Sequence, residues 1–480
     1  MGLWRTRLRC GAACASLFAA AAGFLHAQSP ATQAPLWAGQ IDAVFAQWDR
    51  ADSPGCALGV YQNGRIVYTR GYGMADLEHD APITPDSVFY AGSVSKQFTA
   101  MAAALAIKQG RMAADDDVRK YVPELPDYGR PITIRHLVHH TSGLRDVNTL
   151  MVLAGRRDED AFDNEAVLRI VARQKALNFM PGDEYLYSNS GYAVLALAVE
   201  RATGTPFAQY ADANIFKPLG MTVSHFHTDL SRIVKGRAFA YDARPGGTFA
   251  LNSPQNERAG AGGLFTTVRE LARWDENFYD GRVGGLEVIK TLETPGRLND
   301  GTALTYAWGQ MVGSYRGSPI VEHSGSLGGY RTHIIRFGSF HTSVAILCNV
   351  SNVNTRTAVR RVADAVLADR VQESVPPAER PAPAPGPSGP AHTYGPGELQ
   401  AFTGEYYSDE LESTYRVAAD GASLRLRRGV QRQLLALQPG PKDEFRMTGS
   451  TIRFRRGPDG AIIGLVVNAD RTRGLVFEKR

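Results

Sequence analysis

The sequence predicts an α/β domain whose single antiparallel sheet is assembled from both ends of its own segment, followed by a small antiparallel β-barrel. Three observations carry this reading. Strand patterns stand at residues 56–69 and again at 332–349, with helical patterns between them. Residues 375–396 are rich in Pro, Ala and Gly and hold almost no large apolar side chain, so they read as a stiff, extended linker. Beyond the linker, short alternating runs follow one another, as in an all-β meander. About 450 residues, once a leader is removed, is also too many for one ordinary core.

Each element has a local reason. Residues 1–27 have the form of a secretory signal: Arg5, Arg7 and Arg9, then an apolar run over 12–25, then Leu25-His26-Ala27 before a cut at Gln28. The run is too short to span a bilayer comfortably, and no later stretch is long and apolar enough to do so. Residues 36–49 form a helix. Strands at 56–60 and 66–69 meet at Asn63-Gly64, a strong hairpin signal. The Ala-rich run 98–105, closed by Gly110, makes a helix that starts at Ser93. Residues 193–201 are a periodic helix stopped near Gly204. Thr267-Val268-Arg269-Glu270 is a capping-box pattern that opens a helix to about Phe278. Strands at 332–337 and 343–349 flank Gly338-Ser339, and a helix over 358–371 closes the domain. After the linker come runs at 414–417, 424–426, 433–437, 444–447, 451–454, 462–467 and 475–478, with Asp420-Gly421 and Pro458-Asp459-Gly460 as turns. The expected division is a leader at 1–27, a first domain at 28–374, the linker at 375–396 and the barrel at 397–480.

Charge and cysteines narrow the function classes. The net charge is +5, and loss of the leader removes three arginines and no acid, so nothing argues for a nucleic-acid partner. Cys10 and Cys14 fall in the leader. Cys56 and Cys348 are too few for a disulfide framework or a Cys-only zinc site; a single bridge and two buried thiols both remain open.

Ser93-Val94-Ser95-Lys96 carries the chemistry. Residues three apart on a helix share a face, so Lys96 stands one turn from the hydroxyl of Ser93. A serine hydroxyl is a poor nucleophile until a base takes its proton, and a desolvated lysine can be that base. Alone the tetrapeptide is a common pattern, equally suited to a capping serine and a solvated lysine. Tyr187-Ser188-Asn189 can aim a phenol and a carboxamide into one cleft from a tight loop. His323-Ser324-Gly325-Ser326 leads into a strand with small residues that allow close backbone approach. The pairs His139-His140 and His225-Phe226-His227 lack acids or cysteines at ligand spacing, and Gly260-Ala261-Gly262-Gly263 lacks the Gly-Lys-Ser/Thr ending of a phosphate loop.

Five motifs in order, Gly92-Ser93-Val94-Ser95-Lys96-Gln97-Phe98-Thr99, His140-Thr141-Ser142-Gly143-Leu144, Tyr187-Ser188-Asn189-Ser190-Gly191-Tyr192, Ala261-Gly262-Gly263-Leu264 and His323-Ser324-Gly325, resemble the serine β-lactamase-like hydrolases. The resemblance covers about residues 36 to 372 and points to the S12 peptidase group of class C β-lactamases, D-aminopeptidases and related esterases. It implies a β-lactamase/transpeptidase-like fold with a five-stranded antiparallel sheet beside a helical region and a cleft between them. The first and last strands are neighbours in that fold, which brings Cys56 near Cys348 and suggests a bridge. The Gly404-Glu405-Tyr406-Tyr407 start of the barrel resembles, more loosely, barrels appended to D-aminopeptidase-like relatives.

The resemblance also implies roles. Ser93 is the nucleophile, and Lys96 and Tyr187 share the base work. Backbone N–H groups of Ser93 and Ser326 form the oxyanion hole. Asn189, His323 and Gly325 bind substrate, and neither metal nor cofactor is required. Where β-lactamases place a lysine this chain has His323, which is mostly neutral at pH 7 and weakens carboxylate recognition. The expected function is therefore a periplasmic or secreted serine hydrolase acting on a small ester, amide or peptide, a cell-wall fragment being one candidate. Activity as a β-lactamase or D-Ala-D-Ala carboxypeptidase is the alternative, and a non-hydrolytic penicillin- or peptidoglycan-binding sensor is a further one.

Overall fold

The computed structural model describes residues 35–156, 160, 162–255, 258–370, 389–395 and 397–480. The leader and most of the linker lie outside them.

The main sheet runs β1 (Cys56–Gln62), β2 (Arg65–Tyr72), β3 (Met311–Tyr315), β4 (Ser318–Leu327), β5 (Tyr330–Phe337) and β6 (Thr342–Cys348), in the spatial order β3-β4-β5-β6-β1-β2. It is antiparallel, and its two chain ends meet where β1 pairs with β6. The sheet has six strands, one more than the five expected. The added strand β3 is an edge strand turned back by Arg316-Gly317, both in the left-handed region. Asn63 and Gly64 adopt the same region between β1 and β2, as a two-residue hairpin requires.

Period-two alternation divides this sheet between two cores. Leu58, Val60, Val344 and Ile346 face the two terminal helices, α1 (Ala38–Phe45) and the closing helix Thr355–Val366, against Ile41, Phe45 and Val359. Ala57, Tyr61, Ala345 and Leu347 face the helical region on the other side. Cys56 and Cys348 are opposite one another in the β1–β6 register and form a disulfide inside the first of these cores.

The helical region is organised on α2 (Ser95–Lys108), which is buried on every side from Ser95 to Ala106. Its alanines let neighbouring helices approach, and Phe98 stacks on Trp274 at 4.1 Å between ring centres. The helix begins two residues later than expected, because Gly92–Val94 is a tighter 3-10 turn that precedes it. Thr267 caps the helix Val268–Asp280 through the Glu270 N–H, but the Glu270 carboxylate leaves the box. It accepts instead from the Val223 and Ser224 N–H groups and the Ser224 hydroxyl.

The second unit is a closed barrel of eight strands: β7 (Gly404–Ser408), β8 (Ser413–Asp420), β9 (Ser423–Arg428), β10 (Leu435–Pro439), β11 (Glu444–Met447), β12 (Ser450–Arg456), β13 (Ile462–Ala469) and β14 (Thr472–Lys479). The alternating runs account for β8 to β14, and β7 closes the ring by pairing with both β8 and β14. The barrel is docked on the helical region. Arg145 and Glu410 make a buried ion pair at 2.7 Å across the junction, and the Tyr415 hydroxyl donates to the Leu153 carbonyl at 2.8 Å. Among the described residues no helix is long and apolar enough to cross a membrane.

Candidate active site

The site begins with two glycines. Gly92 has a φ of 56°, and a side chain there would meet Ser326 N at 2.7 Å; a side chain on Gly325 would meet the Ala91 carbonyl at 2.2 Å. Their missing Cβ atoms let the turn that carries Ser93 lie directly against β4. The Thr332 hydroxyl, donating to Ala91 O at 2.7 Å, ties the same turn to β5. This crossing brings the backbone of Ser93 and that of Ser326 together.

The two serines of the motif have different partners. The Ser95 hydroxyl donates to Gly92 O at 2.6 Å and accepts from Leu264 N, so it holds the turn. The Ser93 hydroxyl faces the cleft and accepts from Lys96 Nζ at 3.0 Å. Lys96 is fully buried. Its ammonium also donates to Asn189 Oδ1 at 2.9 Å and to Ala261 O at 2.8 Å. Burial pushes its pKa well below the ordinary lysine value; Asp146 acts against this, and Arg471 and Arg258 add to it.

Asn189 opens the helix Asn189–Thr203 behind the Ser188 cap. Its Oδ1 serves Lys96, while its backbone N–H and Nδ2 both donate to Asp146 Oδ2, at 2.7 and 2.9 Å. One amide hydrogen of Asn189 is thereby committed, leaving at most one for a substrate. The Asp146 carboxylate is wholly buried and caps the helix Val147–Leu153 through the Thr149 N–H.

Tyr187 is half-buried, with its ring 4.8 Å from Lys96 Nζ. Burial raises its phenol above the ordinary tyrosine value, although the hydrogen bond with Ser93 works the other way. His140, in the left-handed region, packs its ring 4.2 Å from that of Tyr187 and accepts from Ser188 N at Nδ1. It supports the tyrosine wall of the cleft. Among the described residues neither His139-His140 nor the His225-His227 pair belongs to a group of three metal-capable side chains.

Both ring nitrogens of His323 are engaged. Nδ1 lies 2.7 Å from Ser324 O and must donate to it, so in the neutral ring Nε2 accepts from the Tyr306 hydroxyl at 2.9 Å. Burial, reinforced by Lys96, lowers the imidazole to about 3. His323 is therefore a fixed neutral group bonded to protein on both sides.

Three residues of this arrangement escape sequence reading. Asp146 carries only the weak signal of an acid before a helix. Tyr306 carries none, standing outside every motif and every strand or helix pattern read from the sequence. Arg471 belongs to the barrel: it lies in the turn between β13 and β14, yet its guanidinium is 3.7 Å from Asp146 and 5.5 Å from the centre of the Tyr187 ring. Arg258 lines the same cleft as Ser93 and donates to Asn148 Oδ1 at 2.8 Å.

The family model described as Beta-lactamase matches residues 41–369. The chain belongs to that family. It is 27% identical over 323 residues to a penicillin-binding protein of Bacillus subtilis (strain 168), covering 64% of this chain and 70% of that one. It is 27% identical over 307 residues to a D-aminopeptidase of Gluconobacter oxydans (strain 621H), covering 64% of this chain and only 58% of the relative. Among solved structures, the octameric penicillin-binding protein homologue from Pyrococcus abyssi superposes with a TM-score of 0.60 at 22% identity, covering 92% of this chain and 99% of that one. That likeness establishes the fold, barrel included in its reach, and not the reaction.

Proposed function

We propose that the protein is an exported serine hydrolase that cleaves an ester or amide bond of a small substrate through an acyl-enzyme on Ser93. Family membership supports a serine hydrolase, and one observation carries the mechanism: a buried Lys96 side-chain nitrogen in contact with the Ser93 hydroxyl at 3.0 Å. Desolvation favours the neutral amine, whose lone pair takes the Ser93 proton as Oγ bonds to the substrate carbonyl carbon. The carbonyl oxygen gains the charge, and the backbone N–H groups of Ser93 and Ser326 stabilise it. Collapse expels the alcohol or amine, which takes its proton from Lys96 through the Tyr187 hydroxyl; the raised phenol stays protonated and suits this relay. Water then attacks the acyl carbon and gives its proton to Lys96; the bond from that carbon to Oγ breaks, Lys96 returns the proton to Oγ, and the carboxylic acid leaves. Export is supported by the form of residues 1–27 and by a disulfide in the core.

A neutral His323 bonded on both sides supports uncharged substrates. On this reading kcat/KM for a p-nitrophenyl ester or for D-alanine amide exceeds that for a peptide ending in D-Ala-D-Ala, and the amide of that peptide is turned over at least about tenfold better than the free acid. Arg258 in the cleft favours the second reading, a carboxylate-bearing peptide or β-lactam. A preference for the free acid, or fast hydrolysis of a chromogenic cephalosporin, would establish it instead.

A further inference from the structure

We propose that Arg471, supplied by the barrel, is a positioning residue for acyl transfer, so that the hydrolytic site is complete only with the barrel docked. The inference rests on the acyl-enzyme reading and adds to it a residue outside the matched family segment.

The geometry forms a chain of contacts. The Arg471 carbonyl accepts from the Asp146 N–H at 3.1 Å and from Asn178 Nδ2 at 3.1 Å, which fixes the turn on the first domain. The guanidinium then lies 3.7 Å from Asp146 Oδ2. That oxygen is the one that holds both donors of Asn189, and Asn189 Oδ1 holds Lys96. Asp146 is a wholly buried carboxylate, and such a charge is costly without a counter-charge. Arg471, whose Nε also holds the exposed Asp470 of its own turn at 3.0 Å, is the cation placed on it from outside. Without Arg471, Asp146 acts unopposed by it on Lys96 and favours the charged form, and an ammonium held charged cannot accept the Ser93 proton.

The sign of the pH effect follows. Asp146, Arg258 and Arg471 act on Lys96, and Tyr185, Asp146 and Arg471 act on Tyr187. His140 and His323 also stand beside Lys96, but both are held neutral, chiefly by burial, and add no charge near pH 7. Acylation rises with pH as Lys96 loses its proton. Arg471 lowers the pH at which this happens; removing it exposes the full charge of Asp146 and moves the rise upward.

The test is the rate at which a fluorophosphonate probe modifies Ser93 in the full-length protein, followed from about pH 5 to pH 10. In Arg471→Ala the rising limb moves up by about one pH unit, the rate at pH 7 falls about tenfold, and the curves converge at high pH. Arg471→Met keeps the aliphatic stem, guards against misfolding of the alanine variant, and gives the same displacement. Arg471→Lys restores most of the wild-type profile. On the same hairpin, Arg473→Ala removes an exposed pair with Glu184 and a contact with the Phe179 ring, and leaves the profile in place. An unmoved limb in Arg471→Ala and Arg471→Met overturns the proposal. So does an equal loss at every pH in all three Arg471 variants, which would mean a merely structural contact. If wild type itself is not labelled while Ser93 is intact, the acyl-enzyme reading fails and this proposal with it; labelled wild type with unmoved variants fails this proposal alone.

Discussion

Replacing Lys96 by alanine lowers kcat/KM by about 10⁴-fold, the upper range for loss of a general base, while the protein still folds. The side chain is the sole amine in contact with the Ser93 hydroxyl among the described residues, so its loss leaves the nucleophile without a proton acceptor. Lys96→Arg fares no better, because a guanidinium stays charged and cannot take a proton. The effect on folding is smaller than the burial of Lys96 suggests. Removal leaves Asn189 Oδ1 and Ala261 O without their donor, but it also removes an ammonium group whose desolvation is unfavourable. Steady-state kinetics on a p-nitrophenyl ester, with thermal unfolding of both variants in parallel, checks this. Activity within about tenfold of wild type would assign the base elsewhere, Tyr187 being the alternative.

The second large effect is structural. Glu410→Ala is expected to destabilise the protein by about 3–5 kcal/mol, because it leaves Arg145 charged, buried and without its counter-ion. The two side chains are 1% and 5% exposed. Glu410 also accepts from the Lys175 N–H, and Arg145 donates to the Gly474 carbonyl, so the pair clamps the junction from both sides. Arg145 adjoins Asp146, so loosening this clamp also slows acylation. The double variant Arg145→Met/Glu410→Leu recovers most of the lost stability, since it removes both charges together. Denaturant unfolding of the single and double variants decides the matter. A single variant within about 0.5 kcal/mol of wild type would show that the ion pair does not hold the barrel.

The parts of this fold and site that were legible in sequence are those whose signal is local. Short, nearly unbroken runs of apolar and small residues at Cys56–Gln62 and Thr342–Cys348, and a sharp Asn63-Gly64 turn, mark strands that pack on both faces. Ser93 and Lys96 are three residues apart and meet across one turn. By contrast, Met311–Tyr315 is a short, half-exposed edge strand interrupted by Gly313-Ser314, so its pattern is weak and the sheet is one strand larger than expected. The site's remaining residues are brought together by tertiary contacts. Asp146 and Asn189 are distant in sequence. Arg471 is one arginine in the polar run Asp470-Arg471-Thr472-Arg473, which as sequence is indistinguishable from a solvated hairpin turn. Its own hairpin offers it only the exposed Asp470, and docking of the barrel adds the buried Asp146.

The most direct test of the whole account is mass spectrometry of the protein quenched during turnover of an activated ester, followed by peptide mapping. One acyl adduct is expected on Ser93, formed in wild type, absent in Ser93→Ala and strongly reduced in Lys96→Ala. An adduct on any other residue, or turnover that persists in Ser93→Ala, would contradict it.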